Sequence, residues 1–171
     1  DKDAIKPEQM KELCDELKKE FDYVLIDCPA GIENGFKNAV AGADEAIVVT
    51  TPEVSAVRDA DRIIGLLESS EIHNPKLIIN RIRLEMVKQG NMLNVEDMLD
   101  ILRIDLLGIV PDDEHIVIST NKGEPVILED MGLASKAYKN IAKRLEGENV
   151  EFVNLDVQES FFDKIKALFK K

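Results

Sequence analysis

The stretch that decides the fold is Phe21-Asp22-Tyr23-Val24-Leu25-Ile26-Asp27-Cys28-Pro29-Ala30-Gly31. Tyr23 to Ile26 is a short apolar run, β-branched or aromatic at Tyr23, Val24 and Ile26, which predicts a strand buried on both faces. Asp27 stands at the end of that strand, where a carboxylate reaches a ligand in the crevice of an open α/β sheet. Pro29 and Gly31 force a turn, and Gly31 admits close approach of the backbone to whatever binds.

Outward from this run, apolar segments alternate with helical periodicities. Pro7 opens a helix predicted to reach Glu20, with Met10, Leu13, Cys14 and Leu17 on one face. A second helix is predicted over 32–43, with Phe36, Ala39 and Val40 inward. Further strands are predicted at 45–51, 76–82 and 105–110, the first and last closed by Pro52 and Pro111. Ser55 is the expected N-cap of a helix over 56–69, packed through Val57, Ile63, Ile64 and Leu67. Residues 84–91 read as a turn with a short helical patch, and Asn94 as the cap of a helix through Met98, Leu99 and Leu102. Residues 112–121 read as one or two helical turns, 125–128 as a brief edge segment and 133–145 as an amphipathic helix. Four apolar strands alternating with helices predict an α/β fold, a mostly parallel sheet with helices on both faces.

A chain of 171 residues has room for about one domain. Its 34 acidic and 22 basic residues give a net charge of −12, which disfavours non-specific nucleic-acid binding. Cys14 and Cys28 form no disulfide framework, so a reducing cytosol is the expected compartment. No signal peptide opens the chain, and no apolar stretch is long enough to span a bilayer. His73 and His115 have no Cys/His spacing around them, which argues against a dedicated transition-metal site. The first residue is Asp, and 1–7 reads as a connection out of something earlier, as in a segment of a longer chain.

The terminal helix can be argued from its residues. At about 100° per residue, Phe161, Phe162, Ile165, Leu168 and Phe169 fall within an arc of roughly 120°. Lys164 and Lys166 flank that arc. Residues 161–171 carry a net +3 in a chain of net −12, behind an acidic stretch, 147–160, that lacks a clear period and reads as a linker. A basic amphipathic helix behind such a linker predicts a peripheral contact with anionic membrane lipids. A terminal helix packed on the core is the alternative. One copy binds weakly and two copies in a dimer bind much better, through raised local concentration.

Asp27-Cys28-Pro29-Ala30-Gly31 reads as half of a nucleoside triphosphate site, although an Asp there also caps a following turn. This run resembles the switch II element of the deviant Walker ATPases, the MinD/ParA family. Pro52-Glu53-Val54-Ser55-Ala56-Val57-Arg58-Asp59-Ala60-Asp61-Arg62, Gly123-Glu124-Pro125-Val126 and the tail from Phe161 to Lys171 resemble the septum-site-determining branch of that family. The resemblance covers essentially the whole chain and sets the following expectations. The cofactors are ATP and Mg²⁺. Asp27 is catalytic and acts on Mg²⁺ through water, and Pro29, Ala30 and Gly31 face the γ-phosphate. Asn80 meets the adenine edge, Arg81 stacks on the base and Pro111 lines the nucleotide. Pro111 leads into Asp112 and Asp113, which a helix start favours in any case. Arg58, Asp59 and Asp61 lie on a partner and dimer surface, where the residues alone read equally as a solvated charged face.

The protein so implied is an ATP-dependent homodimer, cytoplasmic and peripheral on the inner face of the cell membrane. Its partners are a MinC-like division inhibitor and a MinE-like or other topological regulator, with no nucleic acid. A ParA-like partition ATPase is one rival, and a non-catalytic membrane adaptor is another. No Gly-x-x-x-x-Gly-Lys-[Ser/Thr] loop or close variant occurs among the nine glycines. The chain therefore reads as an N-terminally truncated member without its P-loop, inactive alone. Its expected parts are 1–146 as the last two thirds of the ATPase domain, the linker 147–160 and the membrane helix 161–171. In the family the loop-bearing strand lies beside the Asp27 strand, so exposed apolar strand edges and poor solubility are expected.

Overall fold

The computed structural model describes residues 5–29 and 31–155. Ala30 and the whole predicted membrane helix, with Phe161, Phe162, Ile165, Leu168 and Phe169, lie outside the described residues. Three parallel strands in the order β1-β2-β3 carry the fold: β1 (Ile47–Thr50), β2 (Lys76–Ile82) and β3 (Asp105–Pro111). Val49 sits opposite Ile78, and Leu77 opposite Leu106. The helices are α1 (Pro7–Leu17), α2 (Asn34–Gly42), α3 (Val54–Ser69), α4 (Leu84–Lys88), α5 (Val95–Leu102), α6 (Glu114–Lys122), α7 (Val126–Glu129) and α8 (Gly132–Leu145).

Alternation along the strands sends neighbouring side chains to opposite faces. Leu77, Ile79 and Ile82 bury against Val57, Ile64 and Leu67 of α3 and Met98 and Leu102 of α5. Ile78, Leu107 and Val110 bury against Ala134, Ala137 and Ile141 of α8. Helices thus cover both faces of a parallel sheet, as the apolar runs predict. Asn94 caps α5 as expected, its Oδ1 accepting from the Asp97 backbone N–H at 2.7 Å.

Tyr23 to Ile26 departs from its prediction. It pairs with no strand, and Tyr23 is 60% and Leu25 86% exposed. A strand buried on both faces needs a hydrogen-bonded neighbour, and the outer edge of β1 has none among the described residues. Tyr23 instead lies against the end of α8, where the Glu146 carboxylate raises the phenol's pKa. Residues 125–128 also differ, forming the one-turn α7 where an edge segment was expected, since so short an apolar run does not distinguish strand from helix. Helix α3 begins at Val54, with Glu53 at the N-cap position and Ser55 already inside the first turn. Only Cys14 of the predicted α1 face is buried, because α1 packs on α2 and Leu13 stays half-exposed. Residues 147–155 have no regular structure but are tied to α8: Asn140 Nδ2 donates to Glu151 O at 3.1 Å and Arg144 Nε to Val150 O at 3.0 Å.

Candidate functional site

A cavity of about 1250 Å³ runs along the whole open edge of β1, between it and the 21–29 segment, from Lys76 at the start of β2 to Thr51 and Asn80 at the strands' C-terminal ends. Those C-terminal ends are where open α/β sheets hold ligands. Asp27, Pro29 and Gly31 line one side. Thr50 and Thr51 line it from the end of β1, Asp59 from α3 and Asn80 from β2. Arg58, Asp61, Arg81 and Pro111 do not line it.

The turn after Asp27 follows from its residues. Gly31 sits at φ +106°, a left-handed conformation that strains any residue with a side chain, although nothing lies within 4 Å of its missing Cβ. A Cβ at Gly35 would lie 2.5 Å from Pro29 Cγ, so the bare backbone there lets Pro29 seat on the start of α2. Asp27 is exposed, and its carboxylate has no hydrogen-bond or ion-pair partner among the described residues. Cys28 is exposed, and Cys14 is the buried cysteine. Partial desolvation, and then the Asp27 charge, push the Cys28 thiol up and keep it protonated.

The β2 side of the cavity rests on an irregularity in that strand. Ile79 faces Ile109 but Ile82 faces Pro111, so β2 carries one extra residue there. Arg81 occupies that bulge at φ +58°. Asn80 Oδ1 is buried with no hydrogen-bond partner. An orphaned buried acceptor costs about 1–3 kcal/mol, and the exocyclic amine of an adenine would satisfy it. On this observation the residues present fit an adenine nucleotide. Arg81 Nε lies 3.4 Å from Asp112 Oδ1, and Arg83 Nε donates to Asp112 Oδ2. Asp112 thereby ties the bulge to the end of β3, while Pro111 is buried opposite Ile82.

Two features escape sequence reasoning. Thr50 and Thr51 line the cavity, the Thr51 hydroxyl donating to Glu53 Oε2 at 2.7 Å, and nothing in an apolar strand's pattern marks them. Asp113 is buried at the N-cap of α6, accepting from the His115 backbone N–H at 3.0 Å and the Ala134 N–H at 3.1 Å, with His115 Nδ1 at 2.7 Å. Burial alone would raise the carboxyl's pKa, but these bonds outweigh it and hold it below the usual carboxylate range. An Asp just before Glu114-His115 is a recognisable cap signal.

A parallel sheet with helices on both faces, and with Asp27, Gly31 and the end of β2 at one cavity beside it, is an α/β fold of the ligand-binding kind. The chain belongs to the ParA family of P-loop NTPases: the ParA family model, described as NUBPL iron-transfer P-loop NTPase, matches residues 2–146. Within that family it is 58% identical over 154 residues to the septum site-determining protein MinD of Synechocystis sp., covering 90% of this chain and 58% of that protein. It is 55% identical over 171 residues to the Bacillus subtilis MinD, covering 99% of this chain and 64% of that one. The structure of the MinC:MinD cell division protein complex of Aquifex aeolicus superposes with a TM-score of 0.84 at 48% identity, covering 89% of this chain and 63% of the other. The chain spans about three fifths of the length of the curated relatives it matches.

Proposed function

We propose that the chain acts in division-site selection as a MinD-type ATPase, an ATP-dependent homodimer on the inner face of the cell membrane that recruits a MinC-like inhibitor. The observation that carries this reading is that Asp27, Gly31 and Asn80, from separate parts of the sequence, line one cavity. There Asn80 would hold the adenine edge, while Arg81 and Pro111, which do not line the cavity, would support the strand ends behind it. Pro29, Ala30 and Gly31 would face the γ-phosphate, and Asp27 would orient a water on Mg²⁺. The bound nucleotide supplies the phosphoanhydride whose γ-phosphoryl is transferred to water.

No Gly-rich phosphate loop is among these 171 residues, so the segment alone holds the base and switch groups without turning ATP over. Arg58, Asp59 and Asp61, exposed on α3, form the surface offered to the inhibitor and to a MinE-like regulator. Their support is the likeness to the MinD of the Aquifex aeolicus MinC:MinD complex. The tail, 161–171, supplies the contact with anionic lipid. Incubation with a MinC-type inhibitor tests the reading. A complex is expected that Arg58→Glu weakens at least tenfold at unchanged melting temperature, with magnesium-dependent ATP hydrolysis at background. No complex for either form refutes the partner assignment, and robust hydrolysis refutes the inactivity of the segment.

A further inference from the structure

Helix α8 carries Lys136, Lys139 and Lys143 at spacings of three and four, within an arc of about 60° on its exposed side. The opposite side, with Ala134, Ala137 and Ile141, is buried on the sheet. The row is a local concentration of positive charge in a chain of net −12. Beside it runs a groove of about 390 Å³, shared by the three lysines, Asn140, Val153 and Asn154.

The chain's exit is fixed next to this row. Arg144 NH1 donates to Leu107 O at 3.0 Å and its Nε to Val150 O at 3.0 Å, with the Phe152 ring centred 4.1 Å from its Cζ. Asn140 adds its bond to Glu151 O, and Val153 packs on the core beneath α8. Leu155 still packs on the core, and the six steps from it to Phe161 reach at most about 22 Å.

We propose that the Lys136–Lys139–Lys143 row of α8 is an electrostatic contact for the anionic headgroups of a phospholipid bilayer, engaged together with the 161–171 tail. The inference rests on the membrane reading of that tail. A tail lying in the headgroup region brings its anchor within about 22 Å of the surface, with the row beside that anchor. Lysines that reach that surface each add about fivefold to partitioning. Asp130, at the end of α7, opposes the row: its Oδ1 pairs with Lys139 Nζ at 2.8 Å. The Asp130 charge also acts on Lys136 without an ion-pair contact, so among the described residues Lys139 is paired, Lys136 is weakly opposed and Lys143 has no ion pair.

Sedimentation of the full 171-residue chain with vesicles of 30% phosphatidylglycerol in phosphatidylcholine tests this. The Lys136→Gln/Lys139→Gln/Lys143→Gln variant is expected to lose at least tenfold in partitioning, with its melting temperature unchanged. The same charge change on α1, the turn after it and α2, Lys11→Gln/Lys19→Gln/Lys37→Gln, is expected to lose less than twofold. Asp130→Asn, conservative at its left-handed φ of +50°, is expected to gain about threefold to fivefold. Binding that Phe162→Asp abolishes but the α8 variant leaves within twofold overturns the row and spares the tail. A wild-type chain that does not partition refutes both readings. An equal loss in the Lys11/Lys19/Lys37 variant assigns the effect to net charge, and lipid-free self-association lost with the α8 lysines assigns the row to a second copy; either overturns the proposal.

Discussion

Leu77-Ile78-Ile79 and Tyr23-Val24-Leu25-Ile26 are apolar runs of nearly the same composition, and they end in opposite environments. Leu77 and Ile79 are 0% exposed, whereas Leu25 is 86% exposed. The first run has β1 and β3 hydrogen-bonded on its two sides and helices on both faces. Among the described residues the second has no strand beside it and the edge of β1 across the cavity has no partner, with Val49 57% exposed. An apolar run supplies the demand for burial; its neighbours decide whether that demand is met.

The largest expected effect breaks the comparison at its buried end. Ile79→Ala should cost about 2–5 kcal/mol, because the hole it leaves is walled by the Val57–Leu67 face of α3 and by Met98. Leu25→Ala removes almost as much side chain and should stay within about 0.5 kcal/mol. Urea melts of the two variants measure the difference. Equal losses would mean that the 21–29 segment is folded into the core after all.

The same contrast marks what was legible. Strands 76–82 and 105–110 could be read because both faces of each are covered and apolar continuity reports that directly. Helices α3, α5 and α8 were legible from their periodicity, and the α5 cap from Asn94. The switch turn was legible through Pro29 and Gly31, whose backbone requirements are local. Tyr23 to Ile26 was misread because pairing is a non-local property that no window of sequence contains. The bulge that places Arg81 was equally hidden, since an extra residue shows only against the register of a partner strand. Asp113 reads from sequence only as a carboxylate that the helix dipole favours at a helix start, and its burial depends on α8 arriving 21 residues later.

Asp113 gives the next effect in size and sharpens the comparison through the site's carboxylates. Asp27, on the unpaired segment, has no partner among the described residues, while Asp113, beside β3, joins α6 to α8 through two backbone N–H groups and His115. Asp113→Asn should cost about 2 kcal/mol, since charge-assisted bonds are replaced and one amide hydrogen faces a donor. The carboxyl is held below its usual range in the folded chain. Its stabilisation is therefore present above the unfolded value of about 3.9 and is lost as pH falls through the folded value. The gap between wild type and Asp113→Asn should be widest near neutral pH and close in acid. A gap independent of pH from 7 to 3 would show that the carboxylate charge contributes nothing. Asp27→Asn should leave stability unchanged over the same range.

The smallest effect on stability lies at the open edge, and there the readout moves from folding to association. Leu25, Val49 and Ile47 are apolar, exposed and grouped around the cavity beside β1. An open strand edge with such side chains is a template for another chain. Val49→Lys places a charge on that edge without touching the buried face, where Val48 is 6% exposed. Its cost in a urea melt should be under about 0.5 kcal/mol. Light scattering at raised protein concentration should nevertheless fall well below wild type, because a lysine on an edge opposes strand addition. Ser69→Lys, at the exposed end of α3, adds the same charge away from the edge and controls for net charge. Unequal scattering of the two variants ties association to the unpaired edge of β1. Equal scattering would mean that the apolar groups around the cavity are already satisfied within the fold, and that the exposure of Leu25 and Val49 carries no free-energy consequence.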